Sequence, residues 1–312
     1  MKAFGFLTVL LSIAIASGAR AQVNSKVLKS VVQSQGGCES FIRYDDDNMY
    51  FGITQNAVQI VSIGDPRDSR IISTRAAELD LVRTGDTLWI LTPAGIEEWS
   101  LSGFQRIAVH PTFNAGRRPA NWEYPTAMAL YKDQLVISHG LWGLSIFDTV
   151  SKKIVHQAPL VQEQAPLLSM ATGVAVAGDL AYFSMDDVTM RRPDQKPAFR
   201  GIVVYNLATR TTEHNLDNMD AGADALATDG EKLIVSFMGI PIWKYKLSTL
   251  RGSVVPEPEQ RIWKFGIKGH PIGRASMDEE YYYTCFLEAP ETRGGKYTKT
   301  SVALDRKSIL LD

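Results

Sequence analysis

The side chains suited to chemistry are few and scattered. The five histidines, His110, His139, His156, His214 and His270, fall in separate stretches, and no two are spaced as metal ligands on one element. His139 follows Ser138 in an S-H-G run, which invites a nucleophile-and-base reading. The same strand-end place holds Ser184, Ser236 and Thr284 further along the chain, and Gly52 earlier. A residue type repeated in this way fills a narrow packing position. The sequence contains no G-x-S-x-G elbow, no glycine-rich phosphate loop, no H-E-x-x-H and no zinc-spaced cysteine pair. Asp45-Asp46-Asp47-Asn48 lacks the glycine and distal glutamate of an EF-hand loop and reads as a solvated turn. Asp186-Asp187 is the acidic pair of more interest, because it opens a long insertion. No cofactor and no metal site follow from these residues, and whether the chain is an enzyme stays open at this point.

What functional signal there is lies in long insertions: 110–124, 158–169, 186–200, 251–259 and 288–299. Segments of that length between short strands usually carry function. They hold Arg117, Arg118, Trp122, Arg191 and Arg192, with Trp142 in a short connection nearby. Guanidinium forks grip carboxylates or phosphates, and indoles give broad contact at low entropic cost. The candidate binding set is therefore Arg117, Arg118, Trp122, His139, Trp142, Asp186, Asp187, Arg191 and Arg192.

The elements that must position these residues recur along the chain. Each unit is a short strand, an Asp- or Gly-rich turn, an apolar strand, a loop, and a strand with an aliphatic–aromatic tail. The units are 41–63, 79–101, 127–148, 173–207, 223–247 and 273–304. Anchored on Asp47, Asp86, Asp133, Asp179, Asp229 and Asp278, their intervals are 39, 47, 46, 50 and 49 residues. That is the period of a four-stranded propeller blade. Fourth strands are expected at 70–73, 106–109, 153–156, 211–215, 260–264 and 308–311. No stretch shows a capped helical period. An open row of strands leaves exposed edges that ring closure removes. The expected fold is all-β: a six-bladed β-propeller of four-stranded antiparallel blades, with seven blades or a pair of sandwiches as alternatives.

Asn56–Pro66 (NAVQIVSIGDP) and Gly140–Asp148 (GLWGLSIFD) resemble the LVIVD-type and YVTN-type β-propeller repeats of exported bacterial proteins. In those families a Gly- or Asn-led loop precedes an aliphatic strand that ends in a V-D-x-S-D-P-like turn. Ser62 stands where the first unit would carry the family Asp, and the fifth unit reads WKYKL. The resemblance implies a fold and a tendency to bind, and it carries over no active residue.

In such a blade the chain runs down strand A, up B, down C and up D, so the D-to-A and B-to-C connections share one end, here the upper face. All five insertions are expected there. Cys38 precedes strand A of the first unit, and Cys285 lies near the end of strand B of the last. A bond between them would clamp the ring seam and close a 248-residue loop, worth on the order of 5 kcal/mol in the chain-entropy account. Residues 27–32 (VLKSVV) read as a further edge strand at that seam.

The leading residues point to a compartment. With 45% hydrophobic, 21% charged and 9% aromatic residues, the chain has the proportions of a folded protein rather than a disordered or fibrous one. Lys2, the apolar run 4–17 and the A-x-A pattern ending at Ala21 predict a cleaved signal peptide over 1–21 and a mature start at Gln22. The run is too short for a transmembrane anchor. Residues 22–37 then form an N-terminal segment and 38–312 the propeller domain. Removing Lys2 and Arg20 changes the formal charge from −1 to −3, which gives no general attraction to nucleic acid. The expected location is periplasmic or secreted, where two cysteines favour pairing.

Two functions follow. The first is a binding or scaffold module of the envelope or exterior, holding a protein, peptide or anionic glycan on its upper face. The second is a lactonase-like or glycan-acting hydrolase or lyase with a central-channel site, for which His139, Asp186, Asp224 and His270 are the candidates.

Overall fold

The computed structural model describes residues 42–53, 56–62, 65, 68–113, 123–161, 169–187, 199–217, 219, 223, 225–236, 242–262, 269–277, 281–288 and 299–305. Among the described residues there are five four-stranded antiparallel sheets and one three-stranded sheet, each with its strands in chain order. The first sheet is β1 (Ile42–Tyr44), β2 (Asn48–Ile53), β3 (Ala57–Ser62) and β4 (Ser69–Ser73). The second is β5 (Asp80–Thr84), β6 (Thr87–Thr92), β7 (Gly95–Ser100) and β8 (Gln105–His110). The third is β9 (Ala127–Tyr131), β10 (Gln134–His139), β11 (Gly143–Asp148) and β12 (Lys153–Ala158). The fourth is β13 (Ser169–Ala177), β14 (Leu180–Asp187), β15 (Gly201–Asn206) and β16 (Thr211–Leu216). The fifth is β17 (Ala225–Thr228), β18 (Lys232–Ser236), β19 (Ile242–Lys246) and β20 (Gln260–Ile262). The last is β21 (Gly269–Met277), β22 (Tyr281–Glu288) and β23 (Lys299–Asp305).

Inner strands pack in sequence, β5 on β9, β9 on β13, β13 on β17, β17 on β21, and β21 on β1. β1 meets β5 through the Arg43–Asp80 ion pair. The blades therefore stand about one axis. The expectation of six four-stranded blades is corrected to five, because the sixth repeat supplies three strands and its expected fourth strand, 308–311, lies outside the described residues. Seven blades are not found, since the described residues form only these sheets. Residues 27–32 also lie outside the described residues. Helical structure among them is confined to one 3-10 turn, Leu247–Thr249, and no helix is long and apolar enough to cross a membrane.

Burial explains the strand order. Second and third strands are buried almost throughout, as in β6, β7, β10 and β11. Outer strands β8 and β12 alternate between exposed and half-buried positions, as one-sided edge strands do. Apolar side chains interdigitate between neighbouring blades: Val136, Ile146, Phe183 and Val203 lie in one such layer, and Val204, Leu233 and Trp243 in the next. Asp and Asn residues close several of the turns with their own side chains. Asp45 accepts from the Asp47 and Asn48 amides, Asp229 from Glu231 and Lys232, and Asn206 from Ala208 and Thr209. Asp45-Asp46-Asp47 is thus a turn, as expected.

Two further devices repeat. Thr126 Oγ1 bonds the Ser138 hydroxyl at 2.7 Å and the Ala171 carbonyl of the next blade at 2.9 Å. Thr172 does the same with Ser184 and the Ala223 carbonyl. The recurrent strand-end serine is therefore half of an inter-blade clasp, more than a small packing residue. Outer strands β8, β12 and β16 each carry a bulge at their third residue, leaving Ile107, Val155 and Glu213 without a paired position.

Candidate functional site

At the upper end of the third blade, the chain turns over Gly140 and Leu141 between β10 and β11. The turn is held from several sides: Trp142 N donates to the His139 carbonyl at 2.7 Å, and Ala171 N of the next blade donates to the Gly140 carbonyl at 2.9 Å. Trp142 is half-buried and lies edge-on to Phe113, with ring centroids 6.1 Å apart. On the other side of Phe113, at 4.4 Å, sits His139. An aromatic stack thus leads from the blade interior to the rim and fixes Trp142 in place.

His139 is fully buried. Its Nε2 lies 2.7 Å from the Ser145 hydroxyl, which also reaches the Thr112 carbonyl at 3.1 Å. Burial lowers its pKa from 6.5 to about 4, against a smaller opposing effect of a main-chain hydrogen bond to Glu123. A neutral, enclosed imidazole beside an equally enclosed serine has no route to a substrate. The Ser–His pair is a packing and hydrogen-bonding unit, and His139 acts on the rim only through Phe113.

Asp186 and Asp187 end β14 at the same face. Met170 pairs with Asp186 and Ala171 with Met185, so β13 connects them to the Gly140 turn. Asp186 forms an ion pair with Arg200 at 3.1 Å and caps the Asp187 amide at 2.8 Å. This pair pins the two ends of the 188–198 connection. His139, Trp142, Asp186 and Asp187 are therefore brought to adjoining blades at one end. The 251–259 insertion, expected at this face, instead joins β19 to β20, a C-to-D connection, and so belongs to the opposite end. Arg117, Arg118, Trp122, Arg191, Arg192, Cys38 and Asp224 lie outside the described residues, as do the side chains of Cys285 and His270.

Sequence reasoning missed a second constellation at the opposite, A-to-B end of the axis. Inner strands β1, β5, β9, β13 and β17 line a cavity of about 290 Å³ whose polar side is Arg43, Asp45, Tyr50, Arg83 and Thr228. Arg43 donates through Nε and Nη2 to one oxygen of Asp80, at 2.9 and 2.6 Å. Arg83 Nη1 reaches both oxygens of Asp45 at 3.1 Å and Asp47 at 3.0 Å, while its Nε donates to the Gly85 carbonyl. Tyr50 donates to Asp45 at 2.7 Å, and burial, then the Asp45 bond, raises its phenol far above the ordinary value. The signal for this cluster is arginine at the second position of β1 and the fourth of β5, where later inner strands carry Val176 and Ala227.

Buried carboxylates were also missed. Glu97 is fully buried and accepts from the Arg75 amide at 2.7 Å and Trp99 Nε1 at 3.0 Å. Glu98 binds Lys152 of the next blade and His110, each at 2.7 Å. Burial alone would raise Glu98, but those two partners outweigh it and hold the carboxyl below its ordinary value. Every carboxylate in this set is committed to a neighbour. No group of three metal-ligating side chains occurs among the described residues.

Radial four-stranded antiparallel blades around an axial cavity define a β-propeller. No family model matches the chain, and no curated protein sequence matches it. Among solved structures it is similar to U3-55K, with a TM-score of 0.57 and 10% identity over 82% of this chain and 76% of that one. It is also similar to the computationally designed Ika8 protein, with a TM-score of 0.46 and 10% identity over 88% of this chain and 98% of that one. A third likeness is to BamB from Moraxella catarrhalis, with a TM-score of 0.48 and 12% identity over 85% and 76% of the two chains. At 10% identity the likeness to U3-55K is one of fold alone.

Proposed function

We propose that the chain is an exported β-propeller, of the LVIVD- and YVTN-like kind, that binds a protein, peptide or anionic glycan partner on its upper face in the periplasm or outside the cell. The observation that carries this reading is the shared end of the B-to-C and D-to-A connections. Strand order and inner-strand packing run the same way from blade to blade, so the connections bearing Arg117, Arg118, Trp122, Arg191 and Arg192 start from the rim that presents Trp142 and Asp186. Trp142 is held rigidly there, which reduces the entropy lost when it is covered. The channel-enzyme alternative is weakened at two candidates, because His139 packs inside a blade and Asp186 is paired with Arg200.

Arg117, Arg118, Arg191 and Arg192, all changed to Glu, test the reading. Crosslinking in the native envelope should capture a partner with the wild-type chain and lose it with the variant, while the thermal midpoint stays within a degree or two. Equal capture by both proteins would defeat the proposal, as would a collapsed midpoint, which would make those arginines structural.

A further inference from the structure

The axial cavity at the A-to-B end has the composition of a ligand site, and it lies on the opposite face from the proposed partner surface. Its walls are mixed, apolar over a little more than half of their extent, with Val82, Ala129, Val174 and Ala227 contributed by four inner strands. Two guanidiniums stand on one side. Arg43 is oriented by Asp80, a fully buried carboxylate that also accepts from the Leu81 and Met128 amides. That arrangement uses Nε and Nη2 of Arg43, and Nη1 has no partner among the described residues. Arg83 is held through Nε and Nη1, which leaves Nη2 without a partner among them.

The acidic neighbours do not cancel this donor pair. Both oxygens of Asp45 are already covered by four donors, the Asp47 and Asn48 amides, Tyr50 and Arg83. Asp80 is spent on Nε and Nη2 of Arg43 and on the Leu81 and Met128 amides, and Asp47 is 68% exposed, where water screens it. Two guanidiniums held by their carboxylates on one cavity, beside Val and Ala side chains, match a small carboxylate with a hydrocarbon tail. The head would take charge-assisted hydrogen bonds, and the tail would displace water from the Val- and Ala-lined wall.

We propose that this end of the channel binds a medium-chain monocarboxylate, its head on Arg43 Nη1 and Arg83 Nη2 and its tail along the axis. The test is calorimetric titration of the whole chain with hexanoate and, separately, with 1-hexanol, which keeps the tail and removes the charge. Saturable one-to-one binding of hexanoate is expected, at least tenfold tighter than hexanol. Arg83→Gln, a substitution at a half-exposed site, should weaken hexanoate at least tenfold and leave hexanol unchanged. Ala129→Leu, which fills the apolar wall, should weaken both. Circular dichroism establishes that each variant is folded. No hexanoate binding, equal affinity for acid and alcohol, or undiminished binding by the folded Arg83→Gln or Ala129→Leu chain would each overturn the site.

Discussion

Arg43 and Asp80, one blade apart, form a bond that sets the register of the inner ring. The guanidinium donates twice to Asp80 Oδ1, while Asp80 Oδ2 accepts from the Met128 amide of the following blade at 2.9 Å. Three inner strands, β1, β5 and β9, thus meet on one carboxylate with no solvent exposure. Removing one partner of such a buried pair strands the other.

Asp80→Ala should therefore cost about 3–5 kcal/mol, read as a lower urea midpoint with little change in slope. Arg43→Met should cost a similar amount. The double variant should lose clearly less than the two combined, because neither charge is then left alone. Additive losses would show that the two groups act separately.

A pH dependence follows from His139. Below about pH 6.5 the unfolded chain takes up a proton that the folded imidazole refuses until about pH 4. Stability contributed by the neutral ring is complete above pH 6.5 and declines as pH falls towards 4, by on the order of 3 kcal/mol. Thermal melts across that window should be flatter for His139→Gln than for the wild type. Parallel curves would remove His139 from the account.

Gly143 opens β11 with φ +111°, and a Cβ there would stand 2.5 Å from the Ala158 carbonyl oxygen. Gly143→Ala should cost about 2–3 kcal/mol from strain and crowding together. Gly178 also has positive φ, at +59°, but a Cβ there meets nothing within 4 Å. Gly178→Ala should cost only about 1–2 kcal/mol. Denaturant titration of the two variants side by side separates backbone strain from collision.

The cysteine pairing expected from sequence is testable by mass and alkylation. Cys38 and Cys285, if bonded, lower the intact mass by two hydrogens and resist alkylation until reduced. Reduction should then lower the thermal midpoint. Two freely alkylated thiols in the native chain would end that expectation.

The repeat was legible because its markers are local. Asp229 closes its turn on the Glu231 and Lys232 amides, and Asp86 ties its own turn to Ser100 and Ser102; both belong to the Asp series whose spacing reports blade length. The strand-end serines were visible as a pattern, but their role was not, because Ser138 and Ser184 act through Thr126 and Thr172 and a carbonyl of the next blade. Glu97 and Glu98 hid in plain sight. Third strands elsewhere read GLSIFD and GIVVYN, so two glutamates in that register had to be buried and paired, yet the partners Arg75 and Lys152 are 22 and 54 residues away. His139 looked like a functional residue because sequence shows a side chain's chemistry and not its enclosure. The channel arginines escaped notice for the same reason, since only closure of the ring brings β1 and β5 around a common space.

The surplus residues on β8, β12 and β16 affect how copies of the molecule meet. Each outer border is bent at the same place, and Ile107 and Val155 project there, 60% and 38% exposed. A kinked border offers no straight run of amides and carbonyls for a neighbouring molecule to zip onto. In crowded surroundings such molecules touch through side chains, and filament growth by lateral strand addition finds no seed on these three flanks.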